Sequence, residues 1–99
     1  MEIFKRSLMD TYSSGHAEGV EFDCPCNVRI DEDMVVIEYL DDQESIVYRG
    51  GSSGSGHYRL QKDGGRGDAT LHRFPGGKIL EGFWIEDVQQ GMWRIRLEN

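Results

Sequence analysis

Two cysteines are the residues of this sequence best suited to metal chemistry, and they lie in the segment Asp23-Cys24-Pro25-Cys26. Two thiolates can ligate a soft metal ion, and His16 is near enough in sequence to add a ligand. A structural zinc site normally uses four ligands from recognisable pairs, whereas this chain has no second cysteine pair. We therefore expect no metal site and keep Cys24, Cys26 and His16 as weak candidates.

A formal match to the Gly-x-Ser-x-Gly motif of serine hydrolases occurs at residues 50–54. That chemistry requires a serine on a strained turn between a strand and a helix of a large α/β sheet. Here the motif lies in a glycine-serine tract, and we expect a flexible loop over residues 50–56. Because no nucleophile, base and orienting group can be placed together, the sequence predicts neither enzyme activity nor a cofactor.

A group of polar side chains in the second half of the chain is the strongest candidate for binding. Alternation along predicted strands places them on the face opposite Trp93. Such a patch could hold a small anion or an acidic partner through charge-assisted hydrogen bonds, although a solvent-facing sheet surface would look the same. The predicted patch consists of His57, Arg59, Thr70, His72, Arg94 and Arg96, with Glu81 and Trp84 as contributors.

The elements that must position these residues are short segments in which side chains alternate with a period of two. Turn residues such as Pro75-Gly76-Gly77 separate them, and helical periodicity is absent. The pattern predicts an all-β domain spanning residues 1–99, with seven or eight short strands in one antiparallel meander. Closure into a complete or nearly complete barrel would remove exposed edges, and a β-sandwich is the alternative. Trp93, Ile95 and Leu97 should face the core together.

The predicted strand from Ile79 to Glu86 carries apolar side chains on both faces. The second apolar face needs a cover, which the N-terminal segment, a second copy of the chain or a bound ligand could supply. The sequence therefore leaves both a monomer and a homodimer open.

A glycine followed by aromatic residues occurs on two successive strands, in Glu81-Gly82-Phe83-Trp84 and Gly91-Met92-Trp93. In this pattern residues 67–97, about a third of the chain, resemble the calycin group of small barrels, which includes lipocalins, avidins and fatty-acid-binding proteins. The resemblance implies a barrel whose interior can hold one small ligand, and it implies no catalytic residues.

The net charge of the chain restricts the classes of partner that it can bind. The net charge is −7, and counting the sequence gives −8 for residues 1–49 and +1 for residues 50–99. An acidic surface repels phosphates, so we expect no binding to nucleic acid. No apolar run approaches the roughly 18 residues of a membrane span, and the N-terminus lacks the pattern of a signal peptide. We expect a cytoplasmic protein that does not bind membranes.

These observations favour a non-catalytic binding domain that holds a small ligand in a barrel or docks a protein on a sheet face. A ligand site would require a cavity of roughly 300 Å³ or more. The alternative is an acidic interaction or inhibitor protein that covers a basic surface on a larger target. That alternative requires the carboxylates of the first half to share one exposed face: Glu18, Glu21, Asp31, Asp33, Asp41 and Asp42.

Overall fold

Eight antiparallel strands follow one another around a closed barrel in the computed structural model, which describes residues 1–15 and 18–99. The strands are β1 (Glu2–Gly15), β2 (Gly19–Ile30), β3 (Met34–Asp41), β4 (Glu44–Gly54), β5 (His57–Lys62), β6 (Asp68–His72), β7 (Ile79–Glu86) and β8 (Gln89–Arg96). Each strand pairs with the next, and β1 pairs with β8 to close the ring. The predicted all-β meander is confirmed as a closed barrel rather than a sandwich.

The interior is filled by side chains at alternate positions of the strands, as the period of two predicts. Trp93, Ile95 and Leu97 are 3%, 0% and 3% exposed, so the predicted inward face of β8 is confirmed. Other strands add fully buried side chains to the same core, among them Val28, Val35, Ile37, Tyr48, Leu60, Leu71 and Leu80.

The two tryptophans of the interior each lie opposite a glycine of the neighbouring strand. Trp84 on β7 pairs with Gly91 on β8, and Gly82 on β7 pairs with Trp93. A Cβ atom at Gly91 would overlap the carbonyl oxygen of Tyr12 and lie 3.0 Å from Cζ2 of Trp84. The glycine-then-aromatic pattern of the sequence therefore makes room inside the barrel for two indole rings.

The loop predicted over residues 50–56 is a strand for most of its length. β4 continues to Gly54, and Gly50 and Gly51 pair with Leu60 and Arg59 of β5. A Cβ atom at Gly50 would overlap the carbonyl oxygen of Arg59, so glycine permits a close approach of the two backbones. The prediction was wrong because small residues in a strand and in a linker have the same composition, and only the pairing distinguishes them.

The two ends of the barrel differ. We call the end that carries both chain termini and the β2–β3, β4–β5 and β6–β7 turns the terminal end. There Phe4 is buried, and the Arg73 guanidinium and the Lys78 ammonium lie 5.6 and 5.2 Å from its ring centroid. Arg73 also donates a hydrogen bond to Glu2 at 2.9 Å, which holds the guanidinium over the Phe4 ring. The opposite end, where β1 ends and β2 begins and where the β3–β4, β5–β6 and β7–β8 turns lie, we call the open end. Within the described part of the chain there is no helix that could cross a membrane.

Candidate ligand pocket

A pocket of about 380 Å³ opens at the open end of the barrel. It lies inside the mouth of the ring, above the buried core, and all strands except β6 contribute to its walls or rim. Its size falls in the range of small-molecule sites. The lining residues are Met9, Thr11, Ser13, Glu21, Cys24, Tyr39, Leu40, Asp41, Ile46, Lys62, Trp84, Glu86, Asp87, Val88, Gln89 and Trp93.

The wall formed by β1 and β2 is polar although it faces the barrel interior. Thr11 and Ser13 follow the buried Met9 at alternate positions of β1, so they point inward above it. The register between β1 and β2 shifts near Asp23, whose φ is +58°, and this irregularity lets both Cys24 and Glu21 line the pocket. Short polar side chains at these positions leave open the space that larger apolar ones would fill.

Three aromatic rings line the pocket from β3, β7 and β8, on either side of the β1–β2 wall. Tyr39 stands edge-on to Trp93, with ring centroids 6.0 Å apart and an interplanar angle of 79°. Trp84 lies 6.2 Å from Trp93 at an angle of 30°. Rings in different orientations, held by the barrel wall, present aromatic faces and edges to one volume.

The indole nitrogen of Trp84 is a buried donor without an acceptor. Trp84 is 6% exposed and lines the pocket, and its Nε1 atom has no hydrogen-bond partner among the described residues. Buried donors are nearly always paired in folded proteins, because an unpaired one loses its hydrogen bonds to water without replacement.

The rim of the pocket is anchored by a hydrogen-bonded chain that starts in the core. The buried Tyr48 donates its hydroxyl to Oε2 of Glu86, and Lys62 lies 3.4 Å from Oε1 of the same carboxylate. Burial and the Glu86 carboxylate raise the pKa of Tyr48 above its ordinary range, so the phenol remains a donor at neutral pH. Glu86 and Lys62 are therefore held in place on the pocket wall.

Acidic groups dominate the rest of the rim. Glu21 and Asp41 have no cationic partner among the described residues, and Asp87 lies 3.8 Å from Arg66. The pKa of the Cys24 thiol is raised by burial and further by Glu21 and Asp41. The pKa of Tyr39 is raised by burial first and then by neighbouring carboxylates, among them Glu86, Asp41 and Glu21. The carboxylates thus impose a negative potential on the interior of the pocket.

The two cysteines considered as metal ligands both face the interior from β2. Cys26 is buried, which raises the pKa of its thiol to about 12, and both thiols are free. Among residues 1–15 and 18–99 no group of three histidine, cysteine, aspartate or glutamate side chains is placed to hold a metal ion. His16 lies outside the described residues.

Seven of the eight residues of the predicted patch lie on the outer face of β5 to β8. His57, His72, Glu81 and Arg94 follow one another across the four strands, and Arg59 pairs with Thr70 in the next row. Within the first row, the Nδ1 atoms of His57 and His72 are 2.7 Å apart, and Arg94 donates to Glu81 at 2.9 Å. These polar groups largely satisfy one another.

Arg96 and Trp84 do not have the surroundings predicted for them. Arg96 is half-buried on the outer face and forms ion pairs with Asp10 of β1 and Asp23 of β2, which neutralise its charge. Trp84 points into the interior, and its predicted place on the outer patch is wrong. The apolar residues on the outer face of β7 are instead Ile79, Phe83 and Ile85, each between 40% and 46% exposed. Both faces of β7 carry apolar side chains, so alternation along the strand alone could not decide which face turns inward.

The six carboxylates named for an acidic interaction surface do not share one face. Asp31 and Asp33 lie in the β2–β3 turn at the terminal end, whereas Glu21, Asp41 and Asp42 lie at the open end. Glu18 precedes β2 at the open end as well, where it accepts a hydrogen bond from Tyr12. The barrel thus divides the acidic residues of the first half between its two ends.

Comparison of the chain with protein-family models, curated proteins and solved structures found no significant match. The barrel has the closed eight-stranded antiparallel form that the calycin resemblance implied at a coarse level.

Proposed function

We propose that this protein is a non-catalytic binding domain that takes a small ligand into the open end of its barrel. The pocket of about 380 Å³ carries the proposal, and Trp84 supports it, because this residue lines the pocket and its buried Nε1–H has no acceptor among the described residues. A site of this kind combines apolar and aromatic walls with a few fixed polar groups. Trp93 and Tyr39 supply the walls, and the anchored Lys62–Glu86 pair supplies fixed polar groups.

Two further features support binding rather than catalysis. Cys24 lines the pocket, and the raised pKa of its thiol disfavours the reactive thiolate. The calycin resemblance, in which a barrel interior holds one small ligand, agrees with this use of the open end. Free thiols at Cys24 and Cys26 are consistent with a reducing compartment, and we propose the cytoplasm.

A pair of variants tests the proposal. Ser13 and Ser14 are neighbours on β1, but Ser13 lines the pocket and alternation turns Ser14 to the outer face. A library of small fragments would be screened by NMR against the natural protein, Ser13→Phe and Ser14→Phe. We expect hits that shift signals of pocket residues in the natural protein and in Ser14→Phe, and that are lost in Ser13→Phe, where a phenyl ring fills the pocket.

The folded state of both variants is checked by the dispersion of their amide signals. Hits that persist in a folded Ser13→Phe variant, or a screen in which no fragment shifts pocket signals of the natural protein, would contradict a ligand site at the open end.

A further inference from the structure

We propose that the ligand of the open-end pocket is a small organic cation, an ammonium group carried on a molecule that also has a neutral oxygen acceptor. This inference rests on the proposed function and specifies the chemistry of the same site. It draws on three independent features of the pocket: its charge, its aromatic walls and its unpartnered donor.

The charge of the pocket favours a cation. Its lining includes four carboxylates, Glu21, Asp41, Glu86 and Asp87, against one ammonium group, that of Lys62. Lys62 is already paired with Glu86, and Asp87 has Arg66 nearby at 3.8 Å. Glu21 and Asp41 remain without a cationic partner among the described residues, so a bound ammonium group would supply the missing counter-charge. An anionic ligand would be repelled by the same groups.

The aromatic walls suit an ammonium group as well. Tyr39 and Trp93 stand nearly perpendicular at 6.0 Å, and Trp84 flanks Trp93. The face of an aromatic ring is negative, and a quaternary or alkylated ammonium group placed over such a face is attracted to it. Carboxylates on the rim and aromatic rings within the mouth attract the same sign of charge, and the raised pKa of Tyr39 reflects this negative potential together with burial.

The indole of Trp84 restricts which other chemical groups the ligand can carry. Its Nε1–H needs an acceptor, and the carboxylates around the rim make a second anionic group on the ligand unfavourable. The acceptor is therefore a neutral oxygen, such as a hydroxyl, ether or carbonyl group. A purely aliphatic ammonium ion would leave the indole unpaired.

Matched probes test the inference. Choline carries a trimethylammonium group and a hydroxyl oxygen, and its neutral carbon isostere carries a tert-butyl group in place of the cation. Affinities would be measured by NMR titration of pocket amides at low salt. We expect choline to bind about tenfold more tightly than the isostere, and only choline should weaken as salt rises to about 0.5 M.

Isosteric variants locate the charges that matter. Glu21→Gln and Asp41→Asn should each weaken choline binding by about threefold or more while leaving the neutral isostere unchanged. Asp33→Asn makes the same charge change at the terminal end and should leave both affinities unaltered. Trp84→Phe keeps an aromatic ring but removes the donor, and it should weaken both oxygen-bearing probes.

The outcomes separate the two proposals. Equal or tighter binding of the neutral isostere in the pocket would overturn the cationic ligand while leaving the binding domain intact. Choline affinity unchanged by Glu21→Gln and by Asp41→Asn would also overturn it. If the fragment screen finds pocket ligands and none of them is a cation, the inference fails alone; if Ser13→Phe alters no binding, the proposed function fails with it.

Discussion

The same strands form both ends of this barrel, but the interior is packed with side chains at one end and holds a polar pocket at the other. At the terminal end the Phe4 side chain fills the barrel interior, and the Arg73 guanidinium covers the Phe4 ring. Packed side chains therefore close the interior at this end. At the open end the inward positions of β1 are Thr11 and Ser13, which leave a pocket bordered by carboxylates. Packing at the terminal end stabilises the fold. The open end can therefore retain a buried donor without an acceptor and carboxylates without a cationic partner among the described residues, although both reduce stability.

The largest expected difference between the ends is in the cost of truncation. Leu80 is fully buried near the terminal end, and Leu80→Ala should lower the free energy of unfolding by about 2–5 kcal/mol, because it removes packed atoms and leaves a cavity. Thr11→Ala, the corresponding truncation at the open end, should cost about 1 kcal/mol or less. Urea denaturation of both variants measures the contrast, and similar losses would mean that the two ends do not differ in this way.

A smaller loss in the free energy of unfolding is expected when the hydroxyl of Ser7 is removed. Ser7 is the one buried polar residue of the core among the described residues. Ser7 donates its hydroxyl to the carbonyl oxygen of Phe4 and accepts from the amide of Glu98, both at 3.1 Å. Ser7→Ala should cost about 1–2 kcal/mol, because the Glu98 amide loses its acceptor in a partly buried place. Ser14→Ala serves as the matched change in the same strand toward the open end. Equal stability of the two variants would show that the Ser7 bonds do not hold the terminal end.

The smallest loss of folding stability is expected when the pH is lowered. The Arg73 guanidinium lowers the pKa of Glu2, and hydrogen bonds from Arg96 and the Asp23 amide lower the pKa of Asp10. Because both pKa values are lower in the folded protein, these bonds stabilise it above the ordinary values of about 4.3 and 3.9, and the stabilisation is lost as the pH falls through the lowered values. Thermal unfolding between neutral pH and about pH 3 should show a decline that the double variant Glu2→Gln, Asp10→Asn reduces. A decline of the same size in that variant would assign acid sensitivity to other groups.

Much of the barrel was predictable because its core strands alternate clearly. Trp93 and Ile95 on β8 and Leu97 just after it are apolar at every second position, and the β5–β6 and β6–β7 turns contain glycine or proline, so both the meander and its inward face follow from the sequence.

The pocket could not be predicted by the same rule. On the parts of β1 and β2 near the open end the usual pattern is reversed: Thr11 and Ser13 face inward, whereas Tyr12, Val20 and Phe22 are exposed. Alternation identifies two faces of a strand, and hydrophobicity then assigns the apolar one to the core, which fails where the interior is a polar pocket. The reversal is itself a signal, because an apolar-polar alternation that contradicts the neighbouring strands marks an interior that is not packed.

The most direct test of the central claim, that the open end is a built ligand site, is the indole signal of Trp84 in a proton–nitrogen correlation spectrum. It is assigned by its absence from Trp84→Phe and followed as choline is added. We predict a saturable downfield shift of the Trp84 signal as its Nε1–H gains an acceptor, while the Trp93 indole signal moves little. A Trp84 signal that stays in place while choline binds, or a shift of equal size in the folded Ser13→Phe variant, would contradict it.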